Sequence, residues 1–372
     1  MLGSTAVGLR FGRSATWRCS IRRRRKCGEI FAIGDLGELA FENWLQLTEA
    51  GLYCAPGRFH IDPSRAVARA VITHGHSDHA RPGHGAVLAT AETVDIMKVR
   101  LGEDSADTFQ TLPYGESLQH GEVTITLHPA GHILGSAQVE LMWRGQRAVI
   151  SGDYKRTPDP TCASFELVRC DLFVTEATFG LPVFCHEPDD AEIARLLTSL
   201  REFPERAHLI GCYALGKCQR LLALLRRAGY ERPIYMHGAL KSMTDVYSAR
   251  GHDFGEIVLV SETGRNGLPG EIVLCPPSAL KDRWSRRLAD PLTVFASGWM
   301  RVRGRARQRG VELPLVISDH ADWPQLIDTI RDTGAEEVWV THGREEALVY
   351  QLTRLGKRAR ALALLGREDE ED

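Results

Sequence analysis

The run Thr73-His74-Gly75-His76-Ser77-Asp78-His79 places four metal-ligand side chains within six residues, directly after the apolar stretch Ala70-Val71-Ile72. Such a stretch reads as a buried strand. A strand that opens into imidazoles and a carboxylate reads as a metal platform, because imidazole suits zinc and its neighbours while a carboxylate neutralises or bridges the ions. On a turn leaving a strand, His74 and His76 can face one ion, and Asp78 and His79 can reach a second. The competing reading is a polar loop with chance histidines. Downstream partners weigh against it: His132, Asp153 and His342 also follow predicted strands.

A chain of 372 residues, 43% hydrophobic and 25% charged, is ordinary globular material with room for two domains. The net charge of -2 excludes a strongly basic nucleic-acid binder overall, yet 46 Lys and Arg leave room for a local basic groove. No apolar run reaches the roughly 18 residues that a membrane span needs. The nine cysteines form no C-x-x-C pair and are odd in number, which fits reduced, mostly buried thiols in a cytoplasmic protein. The first 28 residues lack Asp and Glu and include Arg22-Arg23-Arg24-Arg25-Lys26. A nucleic-acid-binding arm, an Arg-rich transit peptide and a disordered extension all compete there. The favoured expectation is a basic, disordered extension over 1–43, with no chemistry in it.

Order is expected from Trp44. Short strands are predicted at 52–54 and 59–61, a further strand at 68–73, and a helix at 91–101 capped by Thr90. A strand at 123–127 leads into the loop with His132, and a hairpin at 138–150 leads into Ser151-Gly152-Asp153. The strand 172–175 ends at Glu176. From about Pro188 the pattern becomes strands alternating with amphipathic helices (217–227 and 240–250), which implies a mostly parallel sheet. The earlier pattern is expected to resume with a strand at 315–317, a helix at 323–333 and a strand at 338–340 leading to His342. An α/β unit nested inside another domain is the simplest account.

Seven ligands exceed what one ion uses. They fit two ions a few ångströms apart, a pair that activates water and stabilises a phosphate under attack. His74, His76 and His132 are assigned to one ion, Asp78, His79 and His342 to the other, and Asp153 to the bridge. Asp78 is also placed to orient the attacking water.

The His-x-His-x-Asp-His run, Pro129-Ala130-Gly131-His132 and Ser151-Gly152-Asp153 together resemble the metallo-β-lactamase superfamily. Glu176 in Thr175-Glu176-Ala177-Thr178-Phe179-Gly180 resembles the acidic first motif of its β-CASP nuclease group. His320 in Ser318-Asp319-His320 resembles the second motif, and His342 in Thr341-His342-Gly343 the third. Ala214-Leu215-Gly216-Lys217 and Ala296-Ser297-Gly298-Trp299-Met300 resemble segments of the inserted domain. Gly51-Leu52-Tyr53-Cys54 and Phe59-His60-Ile61-Asp62-Pro63 make the chain most similar to the bacterial DNA-ligase-associated exonucleases, also described as mRNA 3′-end processing factor-like. The likeness covers residue 44 onward.

The resemblance implies an α/β fold of the αββα metallo-β-lactamase type over 44–187 and 315–372, with a β-CASP insert at 188–314. It implies two Zn²⁺ (Mn²⁺ as a substitute) and phosphodiester hydrolysis in the cleft between the two parts. His320 would give the leaving 3′-oxygen its proton, and Glu176 would hold that ring and raise its pKa. Ser297 and Gly298 either let backbone N–H groups approach a phosphate or make an ordinary tight turn. Asp62 is read as structural, with support of a metal ligand from behind as the alternative, and Lys217 as a phosphate contact or a helix start in solvent. The remaining histidines lack a motif and are read as surface or core. The leading expectation is a DNA exonuclease working on ends in DNA repair, with a DNA ligase and a helicase as partners implied by the likeness. RNA is the alternative, because histidine at the third motif resembles the RNA-acting members. A thioesterase or lactamase would not need so large an insert, and a non-catalytic binding subunit would not need the full ligand set.

Overall fold

The computed structural model describes residues 40–264 and 267–362. The basic run at 22–26, and with it the expected extension up to residue 39, lies outside the described residues. Residues 40–43 are folded, since Phe41 is buried with its ring 5.9 Å from that of Trp44.

The first sheet holds β1 (Leu45–Thr48), β2 (Gly51–Cys54), β3 (Phe59–Ile61), β4 (Arg69–Val71), β5 (His84–Ala89) and β6 (Ala106–Thr111) in sequence order, with α1 (Ala91–Leu101) between the last two. Its first pairs are antiparallel; from β3 onward they are parallel. The Thr90 hydroxyl accepts from Thr93 N–H at 3.2 Å and caps α1.

The second sheet begins with the meander β7 (Ser117–His120), β8 (Val123–Pro129), β9 (Ala137–Trp143) and β10 (Gln146–Ile150), to which β11 (Leu172–Ala177) adds in parallel. Alternation along these strands explains how the sheets meet. Val123, Ile125 and Leu127, with Val139 and Leu141, all face Phe59, Ile61, Val71 and Leu88 of the first sheet in one core. The opposite face of β11 and β10, at Phe173 and Val149, is covered in turn, so these strands are apolar on both sides.

The chain then leaves for α2 (Asp189–Glu202), β12 (His208–Gly211), α3 (Lys217–Arg227), β13 (Ile234–Met236), α4 (Lys241–Ala249), β14 (Ile257–Leu259), β15 (Ile272–Cys275), β16 (Leu292–Ala296), α5 (Arg303–Arg309) and β17 (Leu313–Leu315). These six strands form a third sheet, ordered β14-β13-β15-β12-β16-β17 and parallel throughout. Leu221, Leu222 and Leu225 of α3 pack on Ile210, Leu274 and Val294 of that sheet.

The chain returns through α6 (Trp323–Thr333), β18 (Glu337–Gly343), α7 (Glu345–Arg354) and β19 (Arg358–Ala361). β18 pairs with β11, extending the second sheet. Leu326 and Ile330 of α6, with Leu348 and Leu352 of α7, cover its outer face, and Val94 and Met97 of α1 cover that of the first sheet. The order across this part is therefore helix, sheet, sheet, helices.

One expectation is corrected. The apolar run at 315–317 does not begin the return to the first pattern. The strand there is Leu313–Leu315, and it pairs with β16 at the edge of the third sheet. An edge place suits Pro314, which has no N–H to give a ladder. Apolar residues alone do not say which of two sheets they join, and Leu315 packs in the third sheet's core. The strand expected at 68–73 is also shorter, because residues after Val71 already belong to the turn.

Candidate metal centre

Four loops from neighbouring strands meet at one end of the paired sheets. The loop after β4 carries His74, His76, Asp78 and His79. Asp62, just after β3, anchors it: its carboxylate accepts from the Thr73 N–H and the Thr73 hydroxyl, both at 2.7 Å. His132 follows β8 through Gly131, whose φ of 74° favours glycine and whose Cβ would run into the backbone oxygen of Lys155. Asp153 follows β10 through Gly152. His342 is different: it lies inside β18, not after it. The pairing of β11 with β18 jumps from Glu176↔Thr341 to Ala177↔Gly343, so His342 is the extra residue of a β-bulge, with φ 59°. A bulge re-aims a side chain, and here the His342 ring stacks on His79, with centroids 4.8 Å apart.

The loops bring all seven sequence-chosen ligands into overlapping groups: His74, His76, His132 and Asp153; His74, Asp78 and His79; His79, Asp153 and His342. Within each group the ligand atoms lie within 4.8 Å of one another. Asp153 Oδ2 is central, at 3.4 Å from His74 Nε2, 3.4 Å from His79 Nε2 and 3.8 Å from His132 Nε2. Ligand atoms about 2.0–2.1 Å from one tetrahedral ion stand roughly 3.3 Å apart, so these spacings suit a shared cation. The Nε2 atoms of His74 and His79 are fully buried and make no hydrogen bond. Buried polar nitrogens without partners are costly in a folded chain, and a cation between them and Asp153 is what this donor set fits.

Second partners fix which nitrogen faces inward. His79 Nδ1–H donates to Asp62 Oδ2 at 2.8 Å, and His132 Nδ1–H to the Asp319 carbonyl at 2.9 Å. His76 Nε2–H donates to the Leu215 carbonyl at 3.3 Å, which leaves Nδ1 facing His132 Nε2 at 3.0 Å. Since the Thr73 hydroxyl is spent on Asp62, its oxygen accepts from His74 Nδ1–H at 3.0 Å. Each imidazole is thus held by one nitrogen and presents the lone pair of the other. Asp62, read from sequence as structural with support of a ligand as the alternative, positions the His79 ring. No local pattern marks it out; its role comes from lying beside β4.

Electrostatics divide the histidines. Burial, then the neighbouring His79, pushes His74 down to about 4. Burial and the surrounding imidazoles likewise hold His132 well below the ordinary histidine value. Neutral imidazole is the ligand form. Burial opposes charge on His79 as well, but Asp78, Asp153 and Asp62 outweigh it and raise its pKa.

His320 lies at the edge of this cluster, its ring 4.6 Å from that of His132. Its Nδ1 pairs with Glu176 Oε2 at 2.9 Å, and the other Glu176 oxygen accepts from Tyr154 N–H at 2.8 Å. Burial works against the imidazolium, yet the Glu176 carboxylate lifts His320 to about 10. Asp319, which the sequence reading passed over, holds His132 by its carbonyl and pairs by its carboxylate with Lys217. Lys217 is accordingly buried and ion-paired, not a helix start in solvent. Three buried basic side chains, Lys155, Lys217 and Arg220, sit here beside Asp159, Asp189 and Asp319. Arg220 joins both Asp159 and Asp189.

One pocket exposes this chemistry. Asp78, Asp153, His320 and His342 form part of its lining, and Phe179, Tyr213, Ser297, Gly298 and Trp299 form more of it. The Ser297 hydroxyl accepts from Trp299 N–H at 3.3 Å and so shapes the turn. Gly298 presses on Phe179, leaving no room for a Cβ. Of the histidines without a motif, His84, His120, His128 and His208 are core residues. The seven described cysteines are free thiols, and Cys185 is exposed.

No protein-family model matches the chain. Over 321 residues it is 29% identical to a probable DNA ligase of Opitutus terrae, covering 84% of this chain and 30% of that one. It is 27% identical over 376 residues to an RNase J-like protein of Methanocaldococcus jannaschii, covering 82% and 89%. It is 28% identical over 207 residues to the endoribonuclease ysh-1 of Neurospora crassa, covering 44% and 24%. The chain thus spans under a third of the length of the ligase and endoribonuclease relatives. A crystal structure of a protein of unknown function from Enterococcus faecalis shares the fold, with a TM-score of 0.50 at 13% identity over 73% of this chain and 74% of that one.

Proposed function

Since the chain belongs to the β-CASP group of the metallo-β-lactamase superfamily, we propose that it is a metal-dependent phosphodiester hydrolase that shortens nucleic-acid strands from their ends. In this reading the paired sheets are the αββα unit, and the third sheet with its helices is the β-CASP insert, running from about residue 188 through β17. The observation that carries the proposal is a single pocket where the His/Asp cluster meets His320, held by Glu176.

His74, His76 and His132 would hold one ion, Asp78, His79 and His342 a second, and Asp153 both. Nitrogen and oxygen donors suit zinc, with manganese as a substitute. When bound, the ions supply a nucleophile at neutral pH and neutralise the phosphate. The chain's own residues do the rest. Asp78, in the pocket wall, orients the attacking water. His320 carries a proton at neutral pH on the nitrogen turned away from Glu176, and gives it to the leaving oxygen. Removing a general acid costs about 10²–10⁴ in rate, so His320→Ala lowers kcat by that factor while the metal content stays at the wild-type level.

DNA is the proposed substrate, with repair of ends as the setting and a DNA ligase as working partner. The support is the ligase relative, in which the matched region is less than a third of a longer chain. RNA is the second reading, favoured by His342 and by the relatives named ribonucleases. A cytoplasmic site of action accords with the free thiols, and no helix among the described residues is long and apolar enough to cross a membrane. The test is a titration against single-stranded DNA and RNA of one sequence. Faster shortening of the DNA strand supports the proposal, and equal or faster loss of the RNA strand replaces DNA with the second reading. Hydrolysis of a thioester with neither strand cut would remove nuclease activity altogether.

A further inference from the structure

One turn of the inserted segment, Leu215-Gly216-Lys217 at the start of α3, holds two of the histidines assigned to the first ion. The Leu215 carbonyl accepts from His76 Nε2–H, 139 residues away in the chain. Lys217 pairs with the Asp319 carboxylate, and the Asp319 carbonyl accepts from His132 Nδ1–H. Lys217 and Asp319 are both buried. The other supports come from the first sheet and owe nothing to the insert: Thr73 holds His74, and Asp62 holds His79.

The turn is fixed in place. The Gln219 side chain accepts from Gly216 N–H at 2.8 Å, and donates to the Ala214 carbonyl at 2.9 Å and to the Thr244 hydroxyl of α4 at 3.0 Å. Gly216 has φ 82°, and a Cβ there would lie 2.4 Å from Ile133 Cγ2 and 3.3 Å from Asp319 Oδ2. Glycine thus lets the turn press on the loop that carries His132. The insert is seated again farther along. The Tyr247 hydroxyl of α4 accepts from Leu134 N–H at 3.2 Å, and Arg250 pairs with Glu92 and Asp95 of α1. Polar contacts between two parts of a chain ordinarily do no more than join them. Those of this turn end on two ligand histidines, one directly and one through Asp319, and in each case on the nitrogen turned away from the cluster. Groups in that position set a ligand's aim.

We propose that the seated insert is a positioning element of the metal centre. Leu215 by its carbonyl, and Lys217 through Asp319, aim His76 and His132, so the ion of His74, His76 and His132 is held tightly only while the insert is docked. The ion at His79 does not depend on the insert. The inference rests on the two-ion reading of the site and adds what controls one of the two ions. The dependence is mutual, because whatever affinity the docked insert gives that ion, the ion gives back as tighter docking.

The test is a titration of Zn²⁺ on the full chain against a chromophoric chelator, with wild type beside Lys217→Met, Asp62→Ala and the two combined. A group that orients a ligating imidazole contributes about 10–100-fold to metal affinity. Wild type is expected to hold two Zn²⁺. Lys217→Met loosens one of them by about 10–100-fold and leaves the other within about twofold, and adding Asp62→Ala loosens the second. Hydrogen exchange reads the reciprocal effect: Zn²⁺ slows amide exchange over α3 in wild type and does so far less in Lys217→Met. Wild-type affinity for both ions in Lys217→Met would overturn the proposal. Equal loosening of both ions would do the same, since general damage to the fold gives that result, and so would exchange over α3 that is indifferent to Zn²⁺. Should the lone Asp319 carboxylate left by Lys217→Met prevent folding, Lys217→Met/Asp319→Asn strands no charge. That variant must then loosen the one ion, and its failure to do so is equally contrary. A wild type that binds fewer than two Zn²⁺ removes the two-ion reading and the proposal with it. One that binds two, with both as tight in the variants at residue 217, removes the proposal alone.

Discussion

Asp62 sits in the left-handed region, with φ 43°, and spends its carboxylate on Thr73 and His79. Aspartate is among the few residues that tolerate this backbone. Carboxylates that orient a ligating imidazole are worth roughly 10–100-fold in metal affinity. Asp62→Ala is therefore expected to weaken metal retention by about that factor against a competing chelator. Retention equal to wild type would show that the His79 ring is held by packing alone. That these seven histidines and aspartates belong together was legible in the chain, because histidines and aspartates after apolar runs carry a chemical signature of their own. Asp62 was legible only as one of two alternatives, and the pairing of Asp319 with Lys217 was not legible. A buried carboxylate earns its role from what lies across from it, and sequence spacing does not encode contacts such as Asp319 with Lys217, 102 residues away.

At the scale of elements, two polar devices carry stability. His128 on β8 lies between Glu140 of β9, at 2.7 Å, and Glu166, at 3.1 Å. Burial disfavours its charge, but the two carboxylates outweigh burial and raise its pKa above the ordinary value. A folded-state pKa raised in this way gives stability that is fully present below about 6.5 and is lost as pH rises through the raised value. The loss of melting temperature in His128→Gln is accordingly expected to be larger near about pH 6 than near about pH 9. A loss that does not change with pH would mean that the pair acts by packing only.

The second device is Arg220, fully buried and joined to Asp159 and Asp189, which ties α3 to the loop after β10 and to the start of α2. Removing one partner of a buried ion pair strands the others, at a cost of about 3–5 kcal/mol. Arg220→Ala should lose that much in urea unfolding, and a loss below about 1 kcal/mol would contradict the assignment. Helices with clear ends were readable: α3 spans Lys217–Arg227 as its spacing predicts, and α6 begins where the Asp322 side chain accepts from Gln325 N–H. The edge strands were harder. β17 and β19 are short, and their place depends on which neighbour accepts their ladder.

For the molecule as a whole, the nested order of the chain determines where chemistry can occur. β11 and β18 are adjacent in the second sheet, and all of the third sheet lies between them in sequence. Glu176 on β11 and His342 on β18 therefore flank the point where the chain leaves and returns, and His320 lies on the returning segment. The change from one strand pattern to another revealed the nesting. A cleft between the two parts was expected from the resemblance, but the contacts that close it did not show in the sequence, because Leu215 with His76 and Trp299 with Phe179 are pairs far apart in the chain. The central claim is that this pocket is a metal-dependent nuclease site. Its most direct test is cleavage of end-labelled single-stranded DNA and RNA by protein of measured metal content, with Asp78→Ala alongside. The account predicts that the wild type shortens the labelled strand, that chelation stops it, and that Asp78→Ala is slower by about 10² or more. Metal-loaded wild-type protein that leaves both strands at full length would contradict it.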